Sequence, residues 1–453
     1  MRVTWVQPED LLAHELVAAR EEGKPVDDAE RAWLSAGGVV PAPRGGASES
    51  VAAPQLRELA MRLLDEIDAI PAGEAGSEPD DLATIRAAWP ATFGLPRGGP
   101  DLPDRVHGAW LGRAVGCLLG KPVEKIPREG IREILQSTGR WPLNGYFTAE
   151  GLRADVARRW PWNRGSRATS LAENIDGMPE DDDLNYPLIA LHVLETTGPG
   201  FDTDDVARAW LDLLPGGRVF TAERAAYANL LLGVAPPGTA TRHNPYRQWI
   251  GAQIRGDLYG WVSPGDVGRA AELAWRDARL SHVRNGIYGA LYAAALNAAA
   301  VVETELDRVL DAGLRVVPPG SRFADAVRFA RDVAGAERDW ERVVDAVADR
   351  YGHLHWVHVL PNAALLTAAL AHGRGDFVRS ICAVVQGGWD TDSCGATVGA
   401  VLGGLHGARA LPHDWVAPLD NRLATSLPGF SRPHGVPFDE LAARTVRLTE
   451  VTA

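Results

Sequence analysis

The stretch Trp389-Asp390-Thr391-Asp392-Ser393-Cys394-Gly395-Ala396-Thr397-Val398-Gly399-Ala400 decides the reading of this chain. Two carboxylates and a hydroxyl stand at i, i+2 and i+3. They open a segment that stays small and apolar through Val401, Leu402, Gly403 and Gly404 to His406. Mg²⁺ and Mn²⁺ prefer carboxylate, hydroxyl and water oxygens in octahedral geometry, so hard donors gathered where a close-packed helix begins suit such an ion. One aspartate at that place is an ordinary N-cap favoured by the helix dipole. An Asp-Thr-Asp-Ser run carries more oxygen than capping needs.

Two further elements lie upstream. Glu180-Asp181-Asp182-Asp183 runs directly into the apolar Leu184-Asn185-Tyr186-Pro187-Leu188-Ile189-Ala190-Leu191. Adjacent acids repel one another unless water or cations neutralise them, and a run that abuts an apolar segment is expected at the edge of the core. Earlier still, His107 to Glu124 places glycines at 108, 112, 116 and 120. Glycine at every fourth position lies on one helical face and lets another backbone approach closely. Each costs a helix about 0.8–1.0 kcal/mol relative to alanine, so four in register mark a packing requirement. The helix should end near Gly120, with Pro122 beyond it. That leaves Glu124 in the following loop, a good position for a working carboxylate.

In this order the three elements resemble the ADP-ribosylglycohydrolase family, which includes the dinitrogenase reductase-activating glycohydrolase and the ADP-ribosyl-acceptor hydrolases. The family's Gly-Asp-Ala-Leu-Gly…Glu segment is matched by Gly116 to Gly120 and Glu124, its central Thr-Asp-Asp-Thr by the acids at 180–183, and its Asp-x-Asp-Thr by Asp390, Asp392 and Ser393. Gly251-Ala252-Gln253-Ile254-Arg255 is similar to its Gly-x-Met-Arg, and Leu280-Ser281-His282 to its Leu-Thr-His. The resemblance covers roughly residues 104–410.

The resemblance implies an all-α, orthogonally packed multi-helix domain whose cleft holds two Mg²⁺ or Mn²⁺ ions against the ribose hydroxyls next to the bond to be cut. Asp390, Asp392 and Ser393 carry over as metal ligands. The central motif falls on 180–183 or 181–184, which makes Asp182 a ligand in either register, Asp181 in the first and Asp183 in the second. Glu124, Asp182 and Asp392 are the implied catalytic carboxylates; Gly116, Arg255, Ser281 and His282 are the substrate-binding candidates. Cys117 stands where the family has an aspartate and reads as a packing residue. The implied reaction is hydrolysis of the glycosidic bond between ADP-ribose, or a related ribosyl group, and its acceptor, either a modified protein or a small ribosylated molecule. The competing readings are an N-glycoside hydrolase of a small NAD-derived metabolite and a catalytically inactive binding protein on the same fold.

Composition agrees with a globular enzyme. The chain has 453 residues, 46% of them hydrophobic, enough for a large core. A formal net charge of −13 argues against nucleic acid or an anionic membrane as the partner. Three scattered cysteines suit a reducing, cytoplasmic setting, and the N-terminus lacks the apolar core of a signal peptide. Ile287 to Val302, interrupted by Gly289 and Asn297, reads as a buried helix rather than a membrane span.

Residues 1–100 read as a helical extension with flexible linkers at 40–52, 72–81 and 94–103, and residues 101–453 as the catalytic domain. Asp202 to Asp205 reads as a capping cluster. The aromatic stretches 141–147 and 160–165 read as ring-binding or core-filling loops. His353, His355 and His358 lack the i, i+4 spacing of a helical zinc pair.

Overall fold

Glycine determines how the central helices meet. In the computed structural model, Leu102–Gly120 and Thr391–His406 are both helices. A Cβ placed on Gly108, Gly112 or Gly116 would fall 2.3, 2.1 or 1.9 Å from the carbonyl oxygens of Gly403, Gly399 and Gly395. The partner glycines are equally crowded by the carbonyls of Gly108, Gly112 and Gly116. Two backbones therefore lie in direct contact along a seam with no room for side chains. Because 108 faces 403 while 116 faces 395, the helices are antiparallel, and the C-terminus of one meets the N-terminus of the other. The Thr391 hydroxyl fixes that end by donating to the Gly120 carbonyl at 2.9 Å.

The structure describes residues 2–40, 42, 44–71, 76–99, 101–163 and 165–452. Pro41, Pro43, residues 72–75, Pro100 and Arg164, which fall in the expected linkers and aromatic loop, lie outside the described residues. The fold is all-α, with 21 α-helices among the described residues. The strand pairing among them is a two-residue antiparallel ladder, Arg422–Leu423 with Val436–Pro437. No strand forms in the described part of 141–162, where Ala154–Arg159 is a short helix. No helix is long and apolar enough to cross a membrane among the described residues. The alanine-rich segment expected as a buried helix forms Arg284–Ala300, buried along its whole length and packed on Val267–Ala278, Leu306–Arg315 and Thr391–His406.

Capping positions the acids. Asp181 is the N-cap of Asp182–Thr197 and accepts from the Asp183 amide at 2.9 Å. Asp202 and Asp205 form a reciprocal capping box at 3.0 Å each way, the role read from their spacing.

The N-terminal helix Pro8–Glu21 packs on the rest of the molecule through buried charge. Arg247 donates to Glu15 and Glu22, each at 2.7 Å, and all three are buried. Removing one partner of such a cluster leaves an uncompensated buried charge, at a cost of about 3–5 kcal/mol. Beside it, Trp5 stands edge-on to Tyr246 and Trp249, with ring centroids 5.4 and 5.7 Å away.

Candidate active site

Three chain segments end in one place. The glycine seam brings the loop after Gly120 to the start of Thr391–His406, and the N-terminus of Asp182–Thr197 enters from the side. Together they line a cavity of about 540 Å³ with Lys121, Glu124, Asp181, Asp182, Asp390, Asp392 and Ser393 on its wall. Glu124 accepts from Asn163 at 2.7 Å and lies 3.3 Å from the Lys125 ammonium. Lys121 is paired with Asp181. Asp183 turns away from the cavity: it accepts from Arg113 at 3.1 Å and from the Ser393 hydroxyl at 3.3 Å. Arg113 is fully buried and also pairs with Asp257. The Asp390 amide donates to the Asn362 side chain at 3.1 Å, which holds the start of the Asp-x-Asp turn.

Charge is unbalanced in this cluster. Six carboxylates, Glu124, Asp181, Asp182, Asp183, Asp390 and Asp392, meet only three cations: Lys121 pairs with Asp181, Lys125 with Glu124 and Arg113 with Asp183, and Arg113 is shared with a seventh acid, Asp257. The consequences differ by position. Burial lifts Glu124 to about 7, helped by the charge of Asp392. Burial, then repulsion from Asp181 and Asp183, pushes Asp182 well above the usual carboxylate range. Burial and Asp392 do the same to Asp390. Asp181 goes the other way, because Lys121 outweighs its burial.

These residues fit a divalent cation. The donors are hard oxygens, and Asp182 and Asp390 are acids whose charged forms lack counter-charge, which an ion between the two motifs would supply. One oxygen each of Asp181 and Asp183 and the Cys117 sulfur also lie within 4.8 Å of one another. Burial, then Asp181 and Asp183, hold that thiol protonated, so it offers the cavity less than its acid neighbours do.

The substrate-binding candidates lie elsewhere. Gly116 belongs to the seam, against Gly395. Arg255 is buried behind the wall, with Asp277 at 2.5 Å, the Ser281 hydroxyl at 3.1 Å and Glu223 as its other partner. Ser281 in turn contacts His282 at 2.8 Å. Of this network only Glu223 reaches the cavity. Arg255, Ser281 and His282 thus brace the wall, because desolvated charges satisfy one another before they satisfy a ligand. Lys121, Arg113, Glu223 and Trp5 were not singled out from sequence. Lys121 had a signal in its position directly after the glycine helix; Arg113, Glu223 and Trp5 meet their partners Asp183, Arg255 and Tyr246 only across distance in the chain.

The ADP-ribosylglycohydrolase family model matches residues 99–451. An uncharacterized protein of Archaeoglobus fulgidus is 26% identical over 360 residues, which cover 77% of this chain and 100% of that protein. A solved structure described as an ADP-ribosylglycohydrolase-related protein complex is similar at 21% identity and a TM-score of 0.49, covering 78% of this chain and 99% of its own. With its seam, its paired acidic motifs and a match over most of its length, the chain belongs to the ADP-ribosylglycohydrolase family.

Proposed function

We propose that this protein is a divalent-metal-dependent hydrolase that cleaves the glycosidic bond between ADP-ribose, or a related ribosyl group, and its acceptor. The observation that carries the reading is the convergence of carboxylates from three distant segments on one cavity with too few cations to neutralise them. Asp181, Asp182, Asp390, Asp392 and Ser393 are the ligand set, and Asp183 supports it from behind through Arg113 and Ser393. Two bound Mg²⁺ or Mn²⁺ ions supply fixed positive charge that orients ribose hydroxyls and acidifies water.

The chain's own residues do the rest. Glu124 is lifted to about 7, first by burial and then by the charge of Asp392. It can take a proton from attacking water or give one to the departing group, which is the range general acid–base catalysis requires. Asn163 and Lys125 hold its two oxygens in place. The surrounding carboxylates stabilise the positive charge that develops at the ribose anomeric carbon in an oxocarbenium-like transition state.

The test is release of free ADP-ribose, followed by chromatography with and without Mg²⁺ or Mn²⁺. The substrates are ADP-ribosyl-arginine, an ADP-ribosyl-serine peptide, O-acetyl-ADP-ribose and NAD. Metal-dependent release, lost in Asp392→Asn, supports the reading and the productive substrate names the linkage. Release that ignores chelator, or that survives in Asp392→Asn, overturns it.

A further inference from the structure

The cavity wall is not all acidic. Trp5, Phe220, Ile250, Trp356 and Val357 line it too, with the Glu223 carboxylate among them. These segments are tied together: the Ile250 amide donates to the Val357 carbonyl at 3.0 Å, and Arg224 donates to the Thr4 carbonyl and hydroxyl, each at 2.9 Å. Trp5 is the unexpected member, since it lies far outside the 99–451 region that matches the family.

Its placement is imposed. Trp5 has φ of 64°, a left-handed conformation that a bulky residue keeps only when its surroundings require it. The Trp5 amide donates to the Gly46 carbonyl at 2.6 Å, and a Cβ on Gly46 would fall 2.3 Å from the indole. Trp356 is tied to the same segment, donating its indole N–H to the Arg44 carbonyl at 3.2 Å. Residues 44–46 therefore brace both indoles of the wall. Nearby, Gly251 leaves room for Glu223, whose Oε1 would be 2.2 Å from any Cβ there. Aromatic walls with a carboxylate acceptor match a flat ring that carries an N–H group.

We propose that Trp5 is a specificity-determining residue: the N-terminal segment supplies an aromatic wall on which a planar, nitrogen-bearing ring of the ribosylated substrate packs, with Glu223 accepting from that ring's N–H. This rests on the hydrolase reading above. Two parts of a substrate share this chemistry, the base of its nucleotide and a heteroaromatic leaving group, and separate ligands distinguish them.

The experiment is titration calorimetry on the full chain in Mg²⁺, with adenosine, nicotinamide riboside and the ring-free ribose 5-phosphate. Loss of an aromatic platform weakens the binding of a stacked ring about ten-fold or more. The expected result is that Trp5→Ala loses at least about ten-fold in affinity for one ring-bearing ligand and keeps its affinity for ribose 5-phosphate. The ligand affected then names the ring, and Trp5→Phe retains most of the affinity. Where Trp5→Ala does not fold, Trp5→Leu makes the same comparison, because it keeps buried bulk and removes the ring. Equal binding by wild type and variant, an equal loss for ribose 5-phosphate, or no ring binding by wild type overturns the proposal. None of these outcomes depends on turnover, so the hydrolase reading stands or falls separately on metal-dependent release of ADP-ribose.

Discussion

Along the two paired helices, Gly108, Gly112 and Gly116 give up their side chains so that backbone meets backbone. Just past Gly120 the opposite happens, and carboxylates from three segments are forced together with half as many cations. The first region gains from closeness, since every atom there finds a neighbour. The second suffers from it, since closeness is repulsion among its acids. The seam therefore holds the acids in positions that they would not keep by themselves, and the stability lost at the cluster is what a bound cation would restore.

The sharpest way to break this contrast is to alter chemistry and scaffold separately. Asp392→Asn should lower turnover by about 10²–10³-fold, as loss of a group aimed at developing charge does, while circular dichroism and the thermal melt stay near wild type. Gly112→Val should do the reverse. Its side chain would enter space occupied by the Gly399 carbonyl, so a loss of about 3 kcal/mol or more is expected by denaturant titration. A wild-type melt for Gly112→Val would show that the seam carries no such constraint.

Cation binding should quiet the cluster. Mg²⁺ or Mn²⁺ at about a hundred times its Kd should add about 2.7 kcal/mol of stability, reversed by chelator; a melting curve indifferent to both would remove the counter-charge argument. In chelator alone, Asp182→Asn should stabilise the fold by about 1 kcal/mol, because the charge of Asp182 is disfavoured by burial and by Asp181 and Asp183. The same variant should lose the metal-induced gain.

A more gradual effect lies at the N-terminal contact. Burial holds His355, stacked on Trp249, down at about 2, against an unfolded value near 6.5. Between these values the unfolded chain binds the extra proton, so stability should fall as pH drops below about 6.5, by about 1 kcal/mol per unit for a partly exposed group. His355→Phe should flatten that slope in acid titrations of the melt; an unchanged slope would assign the acid sensitivity to other groups.

What could be read from sequence was what depends on spacing. Glycines at every fourth residue announced a close backbone neighbour, and Gly395, Gly399 and Gly403, at the same interval, are that neighbour. Two acidic runs and a carboxylate after a helix end announced the cluster. What escaped was set by distance in the chain. Arg113 gains meaning only beside Asp183 and Asp257, and Trp5 only once Thr4 meets Arg224. Arg255 and His282 lie buried behind the cavity wall rather than on it, a placement that a motif match does not reveal.

The seam also restricts how this sequence can change length. One residue inserted between Gly108 and Gly120 would turn everything after it by about 100° and swing side chains onto the opposing carbonyls. A four-residue insertion would restore the facing but shift Glu124 about one turn, some 6 Å, from Asp392. Both helices are therefore closed to insertion and deletion, and variation in length is confined to the loops and to segments outside the pair. Like the teeth of two meshed gears, the glycines set a count as well as a contact.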